Sequence, residues 1–343
     1  MKGVAIAIAA AVIVAVLAAG GFAAWWIHAP ASPDPSEVIV DIPRGASSAQ
    51  VSALLQTNGA IANARLFRLY LRLSREQHAL RAGELRFRRN MTPHEALHEL
   101  LKGEIVLHKV TVAEGLTSMD IATLFEDARI ARADEFRKLV EDATFAHSLG
   151  VPADRLEGFL FPDTYEFTKE AGARVVITTM VKRFQQAWTA DFADKAKTLG
   201  LGELEAVTLA SIVEKESGNP TERPVIAGVF YNRLKKGMRL ETDPTIIYGL
   251  MLRGTWDGNI RKKDLQDATN PYNTYVIKRL PPGPIANPGA ESLHAVAYPA
   301  IHSYLYFVAE GSCGKSVFAS TLVEQERNIQ KWQLHRSGIV ACP

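Results

Sequence analysis

The segment Leu204 to Ser217 reads LEAVTLASIVEKES and carries two carboxylates near the end of an otherwise apolar helical pattern. At ~100° per residue, Leu209, Ile212 and Val213 form one arc, and Glu216 falls in its middle. Glu214 points the other way, beside Val207 and Ala210. Glu216 is therefore expected against a buried or half-buried surface in the last turn. Desolvation and the negative end of the helix dipole both disfavour its charge there. A carboxyl group that keeps its proton near neutral pH suits general acid chemistry. The plain alternative is a helix-surface Glu beside Lys215, and geometry alone leaves both readings open.

Two other motifs compete. His94-Glu95-Ala96-Leu97-His98 places two histidines at i, i+4 on one helix face, with Glu95 as a base, the pattern of a zinc metalloprotease. No third His follows, since positions 101 and 104 are Leu and Glu. The helix is short, its buried face is Ala96, Leu97, Leu100 and Leu101, and the histidines lie at its edge. A chance match on a solvated edge is the favoured reading. Gly311 to Ser316 looks like a phosphate-binding loop, but that loop needs Gly where Ala309 stands. It reads as a hairpin turn after the strand-like Tyr304 to Val308.

The C-terminal half holds a denser constellation. Leu156 to Tyr165 sets aromatics around a Gly and a Pro, and Phe230-Tyr-Asn-Arg-Leu234 follows Glu216. Leu240 to Thr245 and Asn273-Thr-Tyr275 come next. Four prolines between Leu280 and Pro288 fix a loop. Rigid loops bearing Asn, Thr, Asp and Tyr beside a buried acid suit a sugar: amides and hydroxyls for hydrogen bonds, Tyr for ring faces. The bland reading is Pro-rich loops, core tyrosines and Asp243 capping a helix that starts at Pro244.

These residues need elements to hold them. Val38 to Pro43 alternates like a strand, Ser47-Ser48 caps a helix to about Asn58-Gly59, and Ala64 to Leu73 has helical spacing. Gly83 to Arg89 alternates again, and Thr92-Pro93 opens a helix that stops at Lys102-Gly103. A second module begins with a strand from Ile105 to Ala113. Helices are expected at about 117–128, 133–142, 172–199, 204–217 and 222–236, and strand-like runs at Val276–Ile277 and Tyr304–Val308. The order lacks a βαβ rhythm and has no internal repeat, so the fold class is α+β.

The 343 residues, 47% apolar and 22% charged, suit two domains plus an attachment segment. A net charge of +2 gives no argument for nucleic acid or acidic partners. Cys313 and Cys342 are too few for a disulfide framework and match no zinc spacing; one disulfide and two thiols both stay open. Val4 to Ile27 is an uncharged run of 24 residues. As a helix it spans ~36 Å against a hydrocarbon core of ~30 Å. Lys2 on one side and Trp25-Trp26 on the other orient it with the N-terminus in the cytoplasm. A cleaved signal with Ala29-Pro-Ala31 is the alternative. The expected plan is residues 1–29 as N-terminus and membrane helix, 30–37 as an extended linker, and two modules after it.

Taken together, Ala210 to Ser217, Met238 to Thr245 with Ile247-Tyr-Gly249, Tyr272 to Tyr275, Leu280 to Gly283, Pro288-Gly289 and Tyr304 to Val308 resemble the endolytic murein transglycosylases, the YceG-like or MltG family. Glu157-Gly158 and Phe161 to Thr164 extend the resemblance, which covers nearly the whole chain. It implies Glu216 as the catalytic residue, matching the second Glu of Glu-Lys-Glu. It implies a LysM-like subdomain at 38–108, so the HEALH helix falls in a glycan-binding or scaffolding segment, and a catalytic domain at 109–343. The implied substrate is peptidoglycan, cut at the N-acetylmuramic acid–β-1,4–N-acetylglucosamine bond of nascent strands with a 1,6-anhydro end. Thr242, Asp243, Asn273 and Tyr275 are the candidates for orienting the sugar. No metal or organic cofactor is implied. The implied place is the inner (plasma) membrane, single-pass, with the catalytic domain periplasmic beside peptidoglycan synthases. Glu241 departs from the pattern, where Gln is expected in some members. A wall-binding scaffold without turnover is the other alternative.

Overall fold

The computed structural model describes residues 2–76, 79–310 and 315–334. The chain divides into two compact units, one ending at His108 and one beginning at Lys109. The architecture is mixed α+β: among the described residues, all three sheets are two-stranded and antiparallel pairs join β1 to β2 and β5 to β6.

The first unit opens with α1 (Lys2–His28). Among the described residues it is the one helix long and apolar enough to cross a membrane, and none of that span is buried in the protein. β1 (Glu37–Ile42) pairs with β2 (Gly83–Arg88), setting Val38 opposite Phe87 and Val40 opposite Leu85. Between them lie α2 (Ser48–Thr57), opened by a Ser47–Gln50 capping box, and α3 (Ala64–Ser74), capped by Asn63. α4 (Pro93–Lys102) follows β2. Val51, Leu55, Phe67, Leu71, Phe87 and Leu100 form the core of this unit. The strand expected from Ile105 is interrupted: Ile105 makes one isolated bridge to Leu85, and β3 (His108–Thr111) starts later.

In the second unit β3 pairs with β4 (Thr164–Phe167). Around them lie α5 (Ser118–Asp127), α6 (Ala133–Val140) and α7 (Ala143–Ser148). The long helix expected over 172–199 is two helices, α8 (Ala173–Ala187) and α9 (Ala190–Thr198). Trp188 leaves helical geometry at ψ 83°, and the Thr189 side chain caps α9. Then come α10 (Glu203–Glu216), α11 (Arg223–Lys235), α12 (Asp243–Leu252), α13 (Lys262–Leu265) and α14 (Ala290–Ala297). Val276 and Ile277 form no strand; their N–H groups bond to the Asn273 carbonyl in a turn. β5 (Tyr306–Ala309) pairs with β6 (Ser316–Ala319), and α15 (Leu322–Ile329) packs on both. The turn expected between these strands, and both cysteines, lie outside the described residues.

α10 is the centre of this unit. Every residue from Ala206 to Val213 is buried, with α9, α11, α12 and α14 packed around it. Apolar burial on all sides, at roughly 1.5–3 kcal/mol per large side chain, fixes the helix rigidly and so fixes where its last residue emerges.

Candidate active site

Glu216 is the final residue of α10 and opens into a groove of 420 Å³. Arg233 of α11, Leu240 to Pro244, Tyr275, Phe307 to Ala309 of β5, Ser316 of β6, and Gln325 and Ile329 of α15 complete its walls. The Glu216 carboxyl makes no hydrogen bond or ion pair with the described residues, so it is available to a ligand. Burial first, and the Asp243 charge second, push it up to about 7; Arg233 pulls the other way. Burial and Asp243 therefore account for the shift expected at a helix end.

Glu214 is absent from the groove. Its side chain is only 5% exposed and is held by Arg223 at 2.7 Å and by the Gly289 N–H at 3.0 Å. Because α10 is buried all round, the apolar arc did not separate the two carboxylates; the partners do. Glu214 is tied into the frame, and Glu216 is not.

The four sugar-orienting candidates part company. Asp243 is the first residue of α12 and is exposed, and Tyr275 donates to its Oδ1 at 2.7 Å. Thr242 lines the groove from a buried position. Asn273 does not line it: the residue is fully buried. Its amide donates to the carbonyls of Asp264, Leu265 and Asp267, and its Oδ1 accepts the Tyr275 N–H at 3.0 Å. Asn273 thus shapes the loop that presents Tyr275. Glu241 lies in the groove wall with φ 52°, a left-handed conformation strained for a non-glycine residue.

The Pro-rich loop also stays outside the groove. The Ile285 N–H bonds to Ser211 of α10, and Asn287 bonds to Leu116, Gly158, Leu160 and Glu157. Gly158 sits at φ 89°, and a Cβ there would meet Pro284 at 2.4 Å, so the loop packs against backbone that only glycine permits.

A model of the YceG-like family matches residues 40–331. The chain belongs to the YceG-like family. It is 31% identical to an endolytic murein transglycosylase of Bacillus subtilis over 314 residues, 86% of this chain and 84% of that protein. It is also 31% identical to an endolytic murein transglycosylase of Streptococcus pneumoniae over 325 residues, spanning 58% of that longer protein. A crystal structure of a yceG-like protein from Listeria monocytogenes superposes at TM-score 0.57 with 32% identity, covering 86% of this chain and 99% of that one.

In this YceG-like chain the HEALH residues are otherwise engaged. Glu95 closes the capping box of α4, accepting the Thr92 N–H at 2.8 Å, and His94 Nδ1 meets the Tyr70 hydroxyl at 3.1 Å. His98 lies 3.9 Å from Glu99. Sequence reasoning had Arg233 only within the run Phe230 to Leu234, without singling it out, and missed Gln325 as a wall residue. Arg233 is 8% exposed, donates to the Leu305, Arg239 and Leu240 carbonyls, and stacks over Tyr306 at 5.2 Å. It is the groove's only cation among the described residues. A buried Arg on the α-helix after Glu216 gives no periodic signal that it faces the same groove. Gln325 had one overlooked signal: Thr321 and Glu324 form a capping box that announces α15.

Proposed function

We propose that Glu216 acts first as acid and then as base in cutting a glycan strand. Family membership and the named relatives make the chain an enzyme, a lytic transglycosylase acting on peptidoglycan. The observation that carries the assignment of Glu216 is its place: an unpaired carboxyl, pushed up to about 7, at the end of a rigid helix in a groove of 420 Å³.

Protonated Glu216 donates to the oxygen bridging N-acetylmuramic acid and N-acetylglucosamine. That bond breaks with an oxocarbenium-like sugar, trapped by its own acetamide or stabilised by nearby dipoles. The Glu216 carboxylate then takes the proton of the muramic C6 hydroxyl, whose oxygen bonds C1. The ring closes as a 1,6-anhydro end and no water is consumed, so one carboxylate serves where most glycosidases use two. Asp243, Tyr275 and Thr242 orient the sugar; Asn273 acts through the loop.

We assign residues 38–108 as a LysM-like subdomain and 109–343 as the catalytic domain, acting within nascent strands beside peptidoglycan synthases. α1 serves as a single-pass anchor with the catalytic domain outside the plasma membrane. Protease added to intact spheroplasts should remove the catalytic domain; protection of that domain contradicts this orientation. Purified protein should release anhydromuropeptides from peptidoglycan, and a fully active Glu216→Gln variant contradicts the role of Glu216.

A further inference from the structure

Two polar atoms in the groove wall have no partner. Thr242 and Gln325 are 3% and 8% exposed, and Oγ1 of the first and Oε1 of the second make no hydrogen bond. Thr242 stands at the N-cap of α12, where a threonine hydroxyl ordinarily accepts a backbone N–H, yet it makes no such bond. Its backbone is occupied: the N–H donates to Thr274 Oγ1 at 3.0 Å, and the carbonyl accepts from Thr245 Oγ1 at 2.7 Å. Gln325 Nε2 donates to the Phe307 carbonyl at 2.9 Å. A carbonyl only accepts, so this bond fixes the amide's orientation and leaves Oε1 as the free end. Buried polar groups without partners are costly and rare, and these two, from separate elements, line the groove that holds Glu216.

An amide oxygen only accepts, whereas a hydroxyl also donates. A secondary amide offers one N–H and one carbonyl, which matches that pair. We infer that Thr242 and Gln325 together bind the acetamido group of an N-acetylated amino sugar, Gln325 Oε1 accepting its N–H and the Thr242 hydroxyl donating to its carbonyl. The inference rests on the groove being the transglycosylase site. Both oxygens are shut off from bulk water in this structure, so binding requires the two side chains to turn toward the strand. De-N-acetylation removes the acetyl carbonyl to which the Thr242 hydroxyl donates and leaves only a donor at the nitrogen, so de-N-acetylated strands lose that bond and are disfavoured. The groove's charge argues the opposite way: Glu216, Glu241 and Asp243 would by themselves favour an ammonium. The preference therefore separates the two effects.

The test compares cleavage of N-acetylated strands and of the same strands after de-N-acetylation, using the full chain in detergent. Wild type should prefer acetylated strands. Thr242→Val, close in shape and lacking the hydroxyl, should lose about tenfold in kcat/KM on acetylated strands, the worth of one buried hydrogen bond, with an unchanged Tm and a narrowed preference. Thr242→Ser, which retains the hydroxyl, should restore the preference, and Gln325→Met should behave like Thr242→Val. Wild type that cuts both substrates equally overturns the inference without any variant. A Thr242→Val enzyme with unchanged kcat/KM and preference also overturns it, and points to a structural water as the partner. If Glu216→Gln is inactive while Thr242→Val is normal, only this inference falls. If Glu216→Gln is fully active, the site itself is misassigned.

Discussion

The Tyr275 hydroxyl donates to the Asp243 carboxylate across 2.7 Å, and both residues lie with Glu216 in one groove. Burial and the Asp243 charge push the Tyr275 phenol well above its ordinary range, so it stays a donor and holds Asp243 in place. Asp243 in turn opposes ionisation of Glu216, while Arg233 favours it. Glu216 thus feels two opposite charges, which suits the acid-then-base role proposed for it.

Asp243→Asn should move the alkaline limb of the pH–rate profile to lower pH. The acid works while protonated, so activity falls as pH rises through about 7. Removing the negative neighbour removes one cause of the upward shift. A profile of kcat/KM against pH checks this, and an unmoved limb contradicts it. Tyr275→Phe should have a smaller effect of the same sign, because Asp243 keeps its charge but loses its fixed position.

Glu157 links stability to pH. It is 2% exposed, accepts from Ser118, Tyr248 and Asn287, and is nevertheless pushed by burial up to about 7. Between its ordinary 4.5 and about 7 the folded chain binds more protons than the unfolded one. The stabilisation is complete below that window and is lost as pH rises through it. Glu216 acts in the same direction. Urea unfolding across this range should show wild type losing stability relative to Glu157→Gln. Glu157→Leu, which takes the carboxylate from four donor groups of Ser118, Tyr248 and Asn287, should cost about 2–4 kcal/mol at any pH.

Asn273→Ala should destabilise the fold by about 2–4 kcal/mol, since three carbonyls and the Tyr275 N–H lose their partner. Hydrogen exchange should quicken at Tyr275, whose N–H this side chain holds. Unchanged stability and exchange would show that the clamp carries no energy.

His94→Ala and His98→Ala should retain turnover, and a chelator should leave it unchanged. Glu95→Ala should cost about 0.5–2 kcal/mol through the lost capping box and spare activity. Loss of activity on chelation, restored by zinc, would overturn the reading of this helix.

The elements whose signals are local were legible. Ser47, Thr92 and Pro93 announce helices through caps, and Val38 to Ile42 announces a strand through alternation. The break at Trp188 was not, because nothing in the apolar spacing distinguishes a bend from a continuing helix. Glu216 was singled out by an argument that assumed one apolar face, whereas α10 is buried on every side. What distinguishes Glu216 from Glu214 is Arg223, which lies nine residues away and offers no periodic signal. Asn273 sits two residues from Tyr275 in sequence, and only the fold shows that one is turned inward and the other to the groove.

The central claim is tested most directly by mass spectrometry of the products that wild type and Glu216→Gln release from peptidoglycan. Wild type should yield 1,6-anhydromuramoyl ends, each lighter by one water than a reducing end. The variant, with its fold intact by circular dichroism, should yield essentially none. Reducing ends from wild type, or anhydro ends from the variant at the wild-type rate, would contradict the account.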